Sequence, residues 1–504
     1  MQFADDTAIV TSLESDNQHL INAFSKWASW AGLLVRVDKC KSFAMKKVST
    51  STVQYEPYLT VNNERIPPVE LNDQMTYLGK DFNFLMSCDH IKNQLTTEID
   101  QYLQKTNLLP LHPLQKIQIC QQFILSKMKW RFSIYDLTET WIIQNIENKF
   151  NRFYRKWLQI PVNGNVTHLF LPNTKLGLNM KEVKSVYRAC KLTVRRILKC
   201  SNNKETEKLY QITSSKNVIT DEIINKTIIE NDDSENYEIR SKCSYRFNKS
   251  AVDDIWETFL GLKEQSTVIK KIVESCYNKD IILWQSIMRR LPVSIFNFSR
   301  RYLILTLANN SNLFRWKICE TNLCALCEQV QTQLHVFNFC KAALNRYTWR
   351  HNSILSSLCN HILKNMPPRT TIYADIDGFQ NPNILFRNKR PDFVLKTESR
   401  LYIIELTCPY ETNAITSREY KQNKYKHLKQ DLLAPMEIEI IFLEITSLGF
   451  ITKNCKTFRK LMSSFNYNVE YILSKLCEVG IRCSYFIYCK RNKEWENPPL
   501  ITYL

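Results

Sequence analysis

Residues Arg390 to Tyr425 restrict the fold of this chain more than any other stretch. They read RPDFVLK, a polar turn at Thr397-Glu398-Ser399, a second apolar run from Leu401 to Leu406, and a helix carrying Lys421 and Lys424. Both runs have the composition of strands, yet each has one carboxylate set into it, Asp392 in the first and Glu405 in the second. A buried carboxylate is costly unless it is paired or bound to a metal. Two of them on adjacent strands, with lysines close by in sequence, point to a divalent-metal site for phosphodiester cleavage. The competing reading is a β-hairpin whose acids sit at solvent-exposed strand ends.

Such acids need a scaffold able to bury them. With 504 residues and 44% hydrophobic content the chain is globular and long enough for three or four domains. Its 8 glycines favour long helices over tight turns. A net charge of +19 points to a polyanionic partner, most often nucleic acid. The alternative is a basic protein kept soluble by its charge. No apolar run reaches the length of a membrane span, so no membrane partner is expected. Asp5 and Asp6 interrupt the opening segment, so no signal peptide is expected either. The 17 cysteines, an odd number, favour free thiols in a reducing compartment and make any cluster of them a metal candidate.

One such cluster stands out. Cys324, Cys327, His335 and Cys340 form a C-x2-C-x7-H-x4-C pattern. Two ligands on a tight knuckle and two about one turn apart on a following helix can close a tetrahedral zinc site. The alternative is four unrelated thiol and imidazole groups in a core.

The beginning of the chain has its own pattern. Phe3-Ala4 and Ala8 to Val10 read as two short strands with Asp5-Asp6 in the turn between them. Adjacent carboxylates at a hairpin tip can hold Mg²⁺ that bridges a nucleotide's phosphates. A helix from Asp16 to Ala31 follows, with Leu20, Ile21, Phe24, Trp27 and Trp30 on its apolar face. Then come a strand from Gly32 to Lys41 and the tetrapeptide Thr76-Tyr77-Leu78-Gly79. This order resembles the late part of the reverse transcriptase domain of non-LTR retrotransposons. The resemblance implies that Asp5 is the metal-binding catalytic aspartate and Asp6 its neighbour. It makes Lys39 the lysine near the leaving pyrophosphate, and TYLG the primer-grip hairpin. Two-metal polymerisation needs a further aspartate on another strand, which the family places upstream. The chain starts two residues before FADD, so the expectation is an N-terminally incomplete reading frame that does not polymerise alone.

Residues 89–200 are helical and basic, with helices expected over Ile91–Leu109, Pro113–Lys129 and Glu139–Leu158. Lys127, Lys129 and Arg131, then Arg152, Arg155 and Lys156, alternate with aromatic residues, a pattern that can grip phosphates and stack on bases. Arg289, Arg290, Arg300 and Arg301 form a second basic set ahead of the cysteines. The alternative is that the aromatics are core and the cations a solvated face. In the family this region is the thumb, and RFYRKWLQIP with THLFLPNTKLGLNM resembles its tail. Leu176-Gly177-Leu178 stands where the family often has Gly-Gly-Leu.

The later motifs continue the resemblance. The arginine-rich segment and the Cys/His cluster resemble the linker and zinc knuckle of R2-like non-LTR retrotransposons. R-P-D, twelve residues, then E-L-T resembles their restriction-like endonuclease, a relative of the PD-(D/E)xK nucleases. In such nucleases a lysine usually stands two residues after the second acid. Here that residue is Thr407, and Lys421, Lys424 and Tyr425 fit the family's downstream K-x-x-K-Y instead. Asp392 and Glu405 are then the Mg²⁺ ligands, and the lysines orient water or stabilise developing charge. Glu411 is a further acid, or more simply a glutamate at an exposed helix start.

The expected fold class is a multidomain α+β chain. Its parts are a palm remnant (1–88), a mostly α-helical thumb (89–200), a polar linker (201–250), a helical linker with a CCHC zinc knuckle (251–366) and a C-terminal α/β nuclease of PD-(D/E)xK type (367–504). The resemblance implies a DNA target and an element RNA as partners, with synthesis and RNA binding in the cytoplasm and action in the nucleus. It implies DNA nicking by the last domain, with RNA-directed DNA polymerisation lost or dependent on missing segments. The alternative is a catalytically inactive nucleic-acid-binding relict.

Overall fold

The computed structural model of the protein describes residues 2–3, 6–70, 73–199, 201–213 and 250–501. Asp5, and with it the expected Asp5-Asp6 pair, lies outside the described residues, as does most of the polar linker (214–249). Within these bounds the fold is mixed α and β, with small sheets and many helices.

The N-terminal region departs from expectation in three places. The first hairpin pairs Gln2–Phe3 with Asp6–Thr7, so Asp6 lies in a strand, exposed, instead of in the turn, and Ala8 to Val10 form no strand. The segment from Gly32 to Lys41 is not a strand. Arg36 and Asp38 pair with each other across a short 3₁₀ turn, Val37–Lys39, which leaves Lys39 exposed. The helix Glu14–Trp30 buries only Ile21 and Ala28, and Trp27 and Trp30 of its expected apolar face are 45% and 84% exposed. TYLG does form a hairpin. Gln74–Tyr77 pairs with Lys80–Asn83 through Leu78 and Gly79, both at positive φ (49° and 74°), as a tight two-residue turn requires.

The next region is helical. Asp89–Leu108 buries Ile91, Leu95, Ile99 and Leu103, one residue per turn. Two further helical rods, Pro113 to Ile134 and Glu139 to Leu158, each contain a π-helical turn, at Cys120–Ile124 and Ile143–Glu147. One continuous apolar core runs from Ile91 to Ile487, so the helical regions and the C-terminal sheet share an interior. Trp284 joins them: its indole donates to the Leu448 carbonyl at 2.7 Å, and its ring stacks on Phe450 with centroids 4.5 Å apart.

The C-terminal unit begins with α1 (Leu344–Lys364), then β1 (Thr371–Ala374), β2 (Phe393–Lys396) and β3 (Arg400–Thr407). It continues with α2 (Ala414–Tyr425), β4 (Glu437–Glu444), α3 (Lys456–Ser464) and α4 (Val469–Cys489). The sheet order is β4-β3-β2-β1, with β3 antiparallel to β2 and parallel to β4. The crossover through α2 makes that parallel pairing. Strand alternation sorts the side chains. Phe393, Leu395, Ile404 and Leu406 face the core shared with α1 and α4, while Val394, Leu401 and Ile403 pack with Tyr425 and Leu428 on the α2 side.

Arg300 and Arg301 are corrections to the expected nucleic-acid face. Arg300 is fully buried, donates to the Leu176 carbonyl at 2.7 Å and to the Gln285 side chain at 2.5 Å, and packs against Trp284 and Phe296. Arg301 donates to the Thr306 carbonyl at 3.2 and 3.1 Å. Arg131 is likewise engaged, in a two-pronged pair with Glu98 at 2.7 and 3.0 Å. Each is tied down because neighbouring elements bring acceptors that no local pattern shows. Phe153, Tyr154 and Trp157 are core residues, whereas Lys127, Lys129, Arg152, Lys156, Arg289 and Arg290 are exposed. Arg155 is half-buried, against the Gly164 carbonyl. Replacing Arg300 by alanine strands two buried acceptors and opens a cavity. The expected loss is about 3 kcal/mol in urea unfolding. Lys156→Ala should leave stability within about 0.5 kcal/mol.

Candidate active site and metal centre

The register of β2 on β3 places Phe393 opposite Ile404, which sets Asp392 beside Glu405 on the α2 side of the sheet. The two strands are tied at this point. The Asp392 amide donates to Glu405 Oε1 at 3.1 Å, and the Leu406 amide donates to Asp392 Oδ2 at 2.9 Å. Above them the α2 positions that face the sheet are Lys421, Tyr425 and Leu428, spaced as one helical stripe extended into the following turn. Lys421 Nζ reaches Asp392 Oδ2 at 2.8 Å and Glu405 Oε2 at 2.7 Å, so one ammonium bridges both carboxylates. Glu405 is fully buried and the Asp392 side chain is 13% exposed. The acids are therefore not at exposed strand ends.

The fourth member of this group is His351 on α1. Its Nε2 lies 3.4 Å from Asp392 Oδ2. Nothing in the local sequence singles this histidine out; only the packing of α1 against the sheet brings it to Asp392. Lys424, by contrast, does not join the acid pair. It stands beside the buried stripe of α2, is exposed, and lies over the Tyr425 ring at 4.8 Å. The Tyr425 hydroxyl donates to the Arg390 carbonyl at 3.1 Å, which anchors the approach to Asp392. Thr407 is 8% exposed, and its hydroxyl has no hydrogen-bond partner among the described residues. Glu411 is buried, not at an exposed helix start. It accepts from the Tyr302 hydroxyl and from the Leu448 amide, and so ties the central helices to the turn after β4.

Burial and charge divide the two acids. Burial by itself raises the pKa of Asp392, but hydrogen bonds and charge from His351 and Lys421 outweigh it and hold the carboxyl below the ordinary range. Burial, then repulsion from Asp392, pushes Glu405 up to about 8 against the pull of Lys421. Burial opposes the positive charge of Lys421 and of His351, yet the carboxylates raise both. Two hard oxygen donors already sharing a cation at hydrogen-bond distance are a donor set suited to Mg²⁺, with the Glu405 proton as the charge to be displaced.

The Cys/His cluster assembles from separate pieces. Cys324 and Cys327 lie on a knuckle closed by hydrogen bonds from the Cys324 amide to the Gln329 carbonyl at 2.7 Å and from the Glu328 amide to the Cys324 carbonyl at 2.9 Å. His335 opens a π-helical turn, His335–Phe339, and Cys340 ends it. The four ligand atoms lie within 4.8 Å of one another. The Cys340–Cys327 and Cys324–Cys340 sulfurs are 3.6 and 4.0 Å apart, and Cys327 Sγ is 3.3 Å from His335 Nε2. A tetrahedral zinc with bonds of about 2.3 Å has sulfur–sulfur edges of about 3.8 Å, so the group fits zinc. The Tyr347 hydroxyl braces it, accepting from the Cys340 amide at 3.0 Å and donating to the His335 carbonyl at 2.9 Å.

No protein-family model matches the chain, and no curated protein matches it.

Two outcomes follow from this geometry. Purified protein should carry one zinc by elemental analysis, and Cys340→Ser should lose it together with the d–d absorption of a Co²⁺-substituted sample. Glu405 supplies the second. Its folded pKa of about 8 lies above the ordinary carboxyl value of 4.5, so its contribution to stability is full below that lower value and is lost as pH rises through 8. In the absence of divalent metal, Glu405→Gln should therefore raise Tm at pH 9 by roughly 2–4 °C. At pH 5 the difference should disappear.

Proposed function

We propose that the chain is the C-terminal part of an R2-like non-LTR retrotransposon polyprotein whose last domain nicks DNA with Mg²⁺. The observation that carries this reading is the single ammonium of Lys421 bridging the carboxylates of Glu405, buried in β3, and Asp392, one residue before β2. Asp392 and Glu405 would hold the ion, which would supply an activated water and a polarised scissile phosphate. His351 keeps Asp392 ionised and turned towards the site. Glu405 gives up its proton as the metal-binding form of the site is made. Lys421, freed from full neutralisation of the acids, stabilises charge developing on the phosphate. The Cys3His group is structural, and its zinc does no chemistry.

Polymerisation is not assigned to this chain. Asp6 and Lys39 are both exposed, and the apolar face of helix Glu14–Trp30 is uncovered in these residues. The exposed cations Lys127, Lys129, Arg152, Lys156, Arg289 and Arg290 supply non-specific contact to phosphates.

The test is nicking of supercoiled DNA with Mg²⁺. Wild type should nick, Asp392→Ala should fall by about 100-fold or more, and His351→Gln by about 10- to 100-fold with more Mg²⁺ needed to saturate. If neither wild type nor Asp392→Ala nicks while both bind DNA, the chain is a nucleic-acid-binding relict.

A further inference from the structure

A cleft of about 530 Å³ opens beside the acid pair, between the metal knuckle, α1 and the start of α2. Its lining includes His351 and Lys421, the two side chains that contact Asp392. No aspartate or glutamate lines it, and these two cations at its acid-pair side are thus already engaged. Two of its lining side chains are large exposed aromatics on different walls, Phe339 from the knuckle (56% exposed) and Tyr420 from α2 (70% exposed). Its floor includes Thr407, whose hydroxyl is buried and has no partner among the described residues. Burying a hydroxyl without a hydrogen bond is unfavourable, so a floor of this kind calls for a polar ligand.

At about 530 Å³ the cleft has the volume of a small organic molecule and cannot enclose a duplex. A single nucleotide fits: the volume lies within the ~300–1,000 Å³ of pockets that enclose a small organic molecule. Aromatic faces take up unstacked bases of any identity. From these observations, and resting on the nuclease reading above, we infer that the cleft holds one unpaired DNA nucleotide next to the scissile phosphate. Phe339 and Tyr420 stack on its base, Thr407 hydrogen-bonds it, and its phosphate is delivered to Lys421. The substrate class is thereby DNA that is locally unstacked at the nick, not intact duplex.

The experiment uses the full chain with Ca²⁺ in place of Mg²⁺ and oligonucleotide duplexes carrying 2-aminopurine either in an unpaired bulge or fully paired. The bulged duplex should bind more tightly, with quenched 2-aminopurine emission. Phe339→Ala and Tyr420→Ala should each weaken its binding about tenfold, the weight of one base–aromatic stack, and restore emission, whereas Tyr420→Trp should keep both. Both positions are exposed, and unchanged thermal melting of the variants excludes misfolding. Equal affinity for bulged and paired DNA, unchanged quenching in both alanine variants, or tighter binding of an RNA strand of the same sequence overturns the inference. Quenching without any nicking in Mg²⁺ would sink the nuclease reading but retain the base-binding cleft. Wild-type nicking of paired DNA by both alanine variants would sink the cleft and retain the nuclease.

Discussion

Arg350 is the contact on which the C-terminal half depends. It is 1% exposed and spreads one guanidinium over three elements. It donates to the Phe337 carbonyl at 3.2 Å and the Asn338 side chain at 3.4 Å on the metal-knuckle turn. It also reaches the Cys408 carbonyl at 3.2 Å just past β3 and Ser484 Oγ at 3.3 Å on α4. Its charge is met by neutral oxygens, so removing any of them leaves a buried cation short of acceptors. Asn338 adds a parallel link, donating to the same Cys408 carbonyl at 2.9 Å and accepting from Ser447 Oγ at 2.6 Å. Cys408 follows Thr407 on the strand that carries Glu405. The metal knuckle and the acid pair are thus anchored to the same few backbone atoms.

The buried acids of this half fall into two kinds. Glu411 and Glu444 are fully engaged by the fold itself. Glu444 takes Arg418, the Thr452 hydroxyl at 2.6 Å and Asn454 at 3.3 Å, while Glu411 takes Tyr302 and the Leu448 amide. Such groups hold elements together, and cutting one partner of a buried pair typically costs about 3–5 kcal/mol. Asp392 and Glu405 differ because they repel each other across adjacent strands and share a single cation beside an open cleft. Crowding of the two acids in low dielectric keeps a proton on Glu405, the charge that a metal there would displace.

Much of the candidate site was legible in residue order because its main parts are local. Glu405 sits in β3 and Asp392 one residue before β2, the two strands being joined by a three-residue turn, and a hairpin puts neighbours in sequence opposite one another in space. The Cys3His spacing works for the same reason: a knuckle and one helical turn bring four ligands together with no help from distant segments. What sequence order did not separate was Lys421 from Lys424, which differ only in their angle around α2. His351 was invisible, since α1 reaches Asp392 only when it packs on the sheet. Arg300 looked like a phosphate contact until Leu176 and Gln285, from other segments, were placed around it. Glu411, read as an exposed helix start, turned out to be sealed beneath Tyr302.

The residue order by itself therefore determined the chemistry available: two strand-borne acids, a lysine helix, a Cys3His cluster and a strongly basic surface. These follow from local geometry, where strand alternation and helical period translate spacing directly into direction. Only the tertiary structure decided which charges are used. Whether a cation reaches a carboxylate, a carbonyl or water depends on what other segments bring within about 3 Å, and burial multiplies the energetic consequence of that choice. That is why one lysine bridges the acids while its neighbour faces solvent, and why one arginine of a basic pair closes a core instead of a phosphate contact.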